Sequence, residues 1–159
     1  MIREQRGVTL IELMSVVACL AILAAIAVPR WIANGWPAYR LKNAALQIVS
    51  DIRYARIRAV ATNRQYRLRF VPTSDSYLLE RGDLPSGSSS WVAEGAVRRF
   101  GADNSPLYSG ARIVGSDEYS IVFRPSGAMT ATTVTLRNAP GLTIKIVCSM
   151  AGRVRLIKE

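Results

Sequence analysis

Residues 8–28 form an apolar stretch that contains one charged side chain, Glu12. These 21 residues are enough to cross a bilayer as a single helix. A charged side chain inside such a helix is unfavourable, by about 2.5 to 3.5 kcal/mol near the centre of the membrane. The stretch therefore predicts a long N-terminal helix, and Glu12 predicts an interaction that offsets the cost of the charge.

Two common kinds of N-terminal segment fit the stretch but do not explain the acid. A secretory signal peptide is indicated by Arg3 and Arg6 ahead of the apolar run and by a cleavage-like A-I-A sequence at residues 25–27. A plain membrane anchor is also possible, with the two arginines on the cytoplasmic side and the remainder of the chain outside. Both alternatives leave Glu12 without a purpose.

A third interpretation rests on the sequence R-G-V-T-L-I-E-L at residues 6–13. It resembles the processing site of type IV pilins and pseudopilins. The resemblance implies that a prepilin peptidase removes residues 1–7 as a leader by cutting between Gly7 and Val8, and that Val8 is then N-methylated. The family most often has phenylalanine where this chain has Val8.

Cleavage after Gly7 would also give Glu12 a partner. The new cationic amine at Val8 of a neighbouring subunit could pair with the Glu12 carboxylate inside an apolar filament core. A buried charge is tolerated when it is paired and strongly unfavourable when it is not, so Glu12 would reward one stagger between helices over others. We expect filament assembly through Glu12, with other pilin subunits, the prepilin peptidase and the bacterial inner membrane as partners. The chain would cross that membrane once, with its C-terminal domain in the periplasm.

The helix is expected to continue beyond the membrane-embedded part. Residues 8–28 would form the transmembrane and assembly helix, and residues 29–64 an amphipathic continuation with a kink at Pro29. The alternative is that the helix stops at Pro29, because N-G-W-P at residues 34–37 adds further helix breakers. Spacings of three and four place six apolar residues on one face of the continuation, and this face is expected to pack on a sheet: Leu41, Ala45, Ile48, Ile52, Ala55 and Ala59.

The period of the pattern changes to two after Gln65. Tyr66, Leu68 and Phe70 alternate with two arginines, which predicts a strand with one buried face. Further strands are predicted at residues 76–81, 91–100, 119–124, 132–137, 142–148 and 153–157, and residues 101–118 are expected to be loop. One long helix followed by antiparallel strands predicts an α+β fold, with residues 65–159 as an antiparallel β-sheet domain.

Several segments of this domain are similar to the GspH/FimT group of minor pilins and pseudopilins. They are R-I-R-A-V-A at 56–61, I-V-F-R-P-S-G at 121–127, I-K-I-V at 144–147 and G-R-V-R-L at 152–156. The chain lacks the C-terminal cysteine pair of many major pilins, which favours a minor subunit. The resemblance implies a pilin-like structural subunit that helps to initiate or cap a type IV pilus or a type II secretion pseudopilus, and it does not separate these two machines.

Charge suggests a second function. The formal net charge is +10, with 21 basic and 11 acidic residues, which favours anionic partners. The G-R-V-R segment resembles a motif implicated in DNA uptake by some FimT-like minor pilins, so Arg153, Arg155 and Lys158 are candidate DNA contacts. The alternative is a turn glycine followed by an exposed strand face.

Catalytic and metal chemistry is not indicated. The chain has no histidine, and its two cysteines, Cys19 and Cys148, do not have the spacing of a zinc site. It also lacks paired carboxylates at a useful spacing and a Gly-rich phosphate loop. We expect no enzyme activity, no cofactor, no metal and no small-molecule substrate, and we expect Cys148 to be a small buried hydrophobic residue.

Overall fold

The computed structural model describes residues 9–100, 110–115 and 117–158. The chain divides into two compact units, Met1–Trp36 and Pro37–Glu159. The leader, the predicted cleavage site between Gly7 and Val8, and the methylation site at Val8 lie outside the described residues.

One helix, α1, runs from Leu10 to Thr62. It continues through Pro29 and through residues 34–37, so the alternative of a helix stop at Pro29 is wrong. A proline removes one helical hydrogen bond, and helix growth on both sides of it is cooperative, so one missing bond does not end this helix. The kink at Pro29 stays a prediction. The helix ends at Asn63, whose left-handed backbone (φ 51°) is typical of a helix C-terminus.

In the second unit, α1 buries the face that its spacing predicts. All six predicted residues are at most 1% exposed, and Ala44 joins them at 0%. Four of these seven positions are alanines, whose small side chains let the helix backbone approach the strands closely. The face contributes to one hydrophobic core that also includes residues of both sheets, among them Leu68, Ile121 and Ile146.

Nine antiparallel strands form two sheets rather than the single sheet that the pattern predicts. The five-stranded sheet has the order β3-β2-β1-β6, with β4 also paired to β2. Its strands are β1 (Tyr66–Val71), β2 (Ser76–Gly82), β3 (Trp91–Ala93), β4 (Arg98–Arg99) and β6 (Tyr119–Phe123). The four-stranded sheet has the order β5-β7-β8-β9. Its strands are β5 (Ala111–Ile113), β7 (Thr132–Asn138), β8 (Thr143–Cys148) and β9 (Val154–Lys158). A short 3-10 helix, Pro72–Ser74, connects β1 to β2.

The α+β fold of a helix packed on antiparallel strands is confirmed, with two local corrections. The strand predicted over residues 91–100 is two short strands, β3 and β4, because Gly95 between them has a positive φ of 103° that breaks an extended chain. The prediction that residues 101–118 are loop missed β5. Three residues are too few to give a clear alternation, and β5 forms because it pairs with β7.

Candidate functional site: the N-terminal helix and an arginine clamp

Glu12 lies in the first turn of α1, where the helix is capped by Thr9. The Glu12 N–H donates to the Thr9 hydroxyl at 3.3 Å and to the Thr9 carbonyl at 3.1 Å. This is half of a capping box, in which a threonine precedes a glutamate by three residues. The pattern T-L-I-E at residues 9–12 carries this signal in the sequence, and the sequence prediction missed it. Glu12 therefore also favours the helix through its position near the positive end of the helix dipole.

The described part of the first unit is apolar around the whole helix. Between Thr9 and Ala25, the sequence contains no ionisable acid or base other than Glu12. The apolar side chains from Leu10 to Leu23 include nine that are between 54% and 78% exposed, among them Ile11 at 76%. A helix that is apolar on all sides is buried in a larger assembly or in a membrane. No helix of the described residues meets the length and hydropathy that a membrane crossing needs.

In the second unit, Arg56 of α1 forms what we call the arginine clamp, together with Gly127 and Gly152. The Arg56 Nε donates to the Gly127 carbonyl at 2.9 Å, and its Nη1 donates to the Gly152 carbonyl at 3.4 Å. Gly127 lies in the β6–β7 turn and Gly152 in the β8–β9 turn. The Met129 N–H also donates to the Met150 carbonyl at 3.2 Å, which connects these two regions directly.

Both glycines of the clamp need to be glycine. They have positive φ angles of 80° and 83°, which most other residues rarely adopt. A Cβ atom at Gly152 would lie 2.5 Å from the Arg56 Cζ, and one at Gly127 would lie 3.3 Å from the Arg56 Nη2. Three of the four segments that resemble the GspH/FimT group thus meet at one point, since each supplies one residue of the clamp.

Comparison with known proteins agrees with this convergence. The family model described as "Type II transport protein GspH" matches residues 44–152, which include the clamp and most of both sheets. The chain belongs to the GspH family. A second model, the prokaryotic N-terminal methylation motif, matches residues 2–28 of this GspH-family chain.

Relatives and solved structures of two kinds resemble this GspH-family protein. Type II secretion system protein H of Xanthomonas campestris is 29% identical over 84% of this chain and 72% of its own. Pilin-like protein PilA1 of Thermus thermophilus is 29% identical over 96% of this chain and 98% of its own. The minor pseudopilin EpsH of the Vibrio cholerae type 2 secretion system shares the fold, with a TM-score of 0.55 at 14% identity over 75% of this chain and 97% of its own.

Arg58, two residues after the clamp arginine, organises a polar cluster at the end of α1. Its Nη2 lies 2.7 Å from the Glu94 Oε1, and the Tyr66 hydroxyl donates to the Glu94 Oε2 at 2.9 Å. The hydrogen bond to Glu94 raises the pKa of the Arg58 guanidinium, so this arginine stays charged. The cluster holds the segment after β3 against the helix.

A cavity of about 300 Å³ lies beside this cluster, and its two carboxylates already have partners. Besides Glu94, it is lined by Asp51, which accepts from the Tyr77 hydroxyl at 2.6 Å and lies 2.9 Å from the Arg98 Nε. These groups hold the wall of the cavity together.

The structure rearranges the three candidate DNA contacts of this GspH-family chain. Arg153 precedes β9 rather than lying within it, whereas Arg155 and Lys158 are strand residues. Arg155 and Lys158 are three positions apart, so they point to opposite faces of the sheet. All three are exposed, but they do not form one surface. The relatives give DNA binding no support, and it stays a prediction.

The buried thiol is confirmed. Cys148 is 3% exposed, and both described cysteines are free thiols. Burial raises the pKa of the Cys148 thiol to about 11 and that of the nearby Tyr119 hydroxyl to about 12. Tyr119 stacks on Phe70, with ring centroids 5.1 Å apart. Because β6 carries Tyr119 and β8 carries Cys148, this pair lies where the two sheets share the core.

Proposed function

We propose that this protein is a minor pilin or pseudopilin, a non-catalytic subunit that helps to initiate or cap a type IV pilus or a type II secretion pseudopilus. The observation that supports this most strongly is the lone acid of an exposed apolar helix, joined to a methylation motif and to a GspH-type domain. The relatives include a type II secretion protein and a pilin-like protein, so the proposal keeps both machines.

In this proposal the subunit is made as a precursor in the bacterial inner membrane. Its N-terminal helix crosses the membrane once, and its C-terminal domain lies in the periplasm. A prepilin peptidase cuts between Gly7 and Val8, and Val8 is methylated. The helix then leaves the lipid for the filament core, where apolar contacts with other subunits replace those with lipid.

Glu12 would control this transfer. Its carboxylate lies on the first turn of α1, so an amine at Val8 of an adjacent subunit could reach it when two helices are staggered by about one turn. The pair would be formed in a medium of low dielectric constant, where opposite charges attract strongly and an unpaired charge is costly. The capping role of Glu12 is local and does not require a second subunit.

Substitution separates these two roles of the first turn. Glu12→Gln keeps the size of the side chain and removes the charge, and we expect incorporation into filaments to fall at least about tenfold, which corresponds to 1.4 kcal/mol. Thr9→Ala is the matched control, because it removes the cap and keeps the charge, and it should assemble within about twofold of the natural protein. Incorporation is measured by immunoblotting of sheared filaments against the total membrane fraction.

Mass spectrometry of the mature N-terminus completes the test. We expect N-methyl-Val8 as the first residue. A mature chain that starts at Val28 would identify a signal peptide and contradict the proposal, as would Glu12→Gln subunits that assemble at the natural level.

A further inference from the structure

The solvent-facing side of the four-stranded sheet carries a group of arginines that we call the basic face: Arg112, Arg137 and Arg155. Alternation along the strands places them there, because their neighbours Ala111, Ile113 and Leu136 are buried on the opposite side. All three arginines are exposed. Arg112 on β5 pairs directly with Arg137 on β7, and Arg155 on β9 pairs with Val147 on β8.

The basic face is not neutralised from within the described part of the chain. No ion pair or hydrogen bond connects these three side chains to a described residue. Residues 119–158 contain six basic residues and no acidic residue. Like charges that lie directly opposite in a sheet are unfavourable, so the Arg112–Arg137 pair carries a cost in the isolated subunit that a carboxylate from outside would remove.

A second copy of this chain is a poor source of that carboxylate. The described acids of the second unit are all engaged within the chain. Asp51, Glu80, Glu94 and Glu118 form ion pairs, Asp75 and Asp83 accept backbone hydrogen bonds, and Asp117 also has a partner. The complementary charge must come from a different molecule.

The other side chains of the face favour a protein over a nucleic acid. Ile157 is 46% exposed beside the arginines, and an apolar side chain contributes little against a phosphate backbone. The described strands of this sheet carry no aromatic residue, whereas single-stranded nucleic acids are bound by stacking on aromatic rings. Arginines mixed with apolar residues are typical of protein interfaces.

We propose that the basic face is the docking site for a protein with an acidic surface that is not a second copy of this chain. Carboxylates of this partner bind Arg112 and Arg137 at one end of the face and Arg155 at the other, with Ile157 in apolar contact between them. This proposal goes beyond the assembly function and does not depend on it, since it concerns a surface far along the sequence from α1's first turn.

The test uses full-length protein in a non-ionic detergent and fluorescein-labelled poly-L-glutamate as the acidic probe. Binding is measured by fluorescence anisotropy at low salt, about 50 mM, where exposed charges are weakly screened. We expect Arg112→Glu/Arg137→Glu to weaken binding at least about tenfold. The matched control is Arg81→Glu/Arg99→Glu, which makes the same charge change at exposed arginines of the five-stranded sheet and should weaken binding less than about threefold.

Two further arms keep the result decisive. Arg112→Gln/Arg137→Gln removes the repulsive pair without adding charge, so it should fold, as checked by circular dichroism, and still bind more weakly. Duplex DNA and phosphatidylglycerol vesicles are the competing anions. The proposal is overturned if poly-L-glutamate does not bind, if both charge-reversal variants lose the same affinity, or if DNA or vesicles bind the same arginines more tightly.

Discussion

The two sheets of the second unit manage charge in opposite ways. The five-stranded sheet and its surroundings balance arginines with acids, in pairs such as Arg67–Glu80, Arg69–Glu118 and Arg58–Glu94. The four-stranded sheet contains no acid in its described strands and presents its arginines to solvent. Its connection to α1 depends instead on one arginine of the helix and two turn glycines. The difference indicates that one half of the domain uses its charges for its own stability, while the other leaves them available for a partner.

The largest expected effect tests the clamp of the four-stranded sheet. Gly152→Ala should lower the free energy of unfolding by about 3 kcal/mol, because it adds backbone strain of about 1 kcal/mol and displaces the charged hydrogen-bond donor Arg56. Gly141→Ala is the control, since Gly141 also has a positive φ, of 92°, but nothing lies within 4 Å of its added Cβ. It should cost only about 1 kcal/mol. Urea unfolding of both variants measures the difference, and equal losses would mean that the clamp adds no stability.

The next effect tests whether the two sheets share one core. The pKa of Cys148 is raised to about 11 in the folded protein, above its unfolded value, so its contribution to stability is complete below about pH 9 and is lost as the pH rises towards 11. Tyr119, with a pKa of about 12, adds to this loss above about pH 10. We expect a loss on the order of 2 kcal/mol between pH 8 and 11, read from thermal melts. Cys148→Ala should show a smaller loss over the same range, and an unchanged pH profile would place the two sheets in separate cores.

The smallest effect tests the ion pairs of the five-stranded sheet. Glu80, whose side chain is 8% exposed, is shared by Arg67 and Arg69. Glu80→Gln should cost about 1 to 2 kcal/mol, because it removes a largely buried charge from two arginines. Glu118→Gln is the control, since Glu118 is 50% exposed and an exposed pair is worth at most about 1 kcal/mol. If the two variants unfold at the same urea concentration, the pairs do not distinguish this sheet.

Much of the fold was predictable because its signals are local. The spacing of apolar residues between Leu41 and Ala59 identifies the buried helix face, and each of those positions is buried. The alternation from Tyr66 to Phe70 identifies β1 in the same way, with all three apolar residues at 0% exposure. The N-terminal motif led to the family, which the match to residues 44–152 establishes from a different part of the chain. Roles for Gly7, Val8, Glu12 and Pro29 remain predictions, because they require a second subunit, an enzyme or a membrane.

What the sequence by itself determined is the type and order of the elements and which residue faces each buries, because these follow from periods of 3.6 and 2 within short segments. Only the tertiary structure decided that the strands divide into two sheets, that β5 exists, and that Arg56, Gly127 and Gly152 meet. Those contacts join residues 71 and 96 positions apart, so no local pattern encodes them. The same holds for the basic face, where Arg112 and Arg137 become neighbours through strand pairing, and where Arg155 and Lys158, close in sequence, are separated by the two sides of one strand.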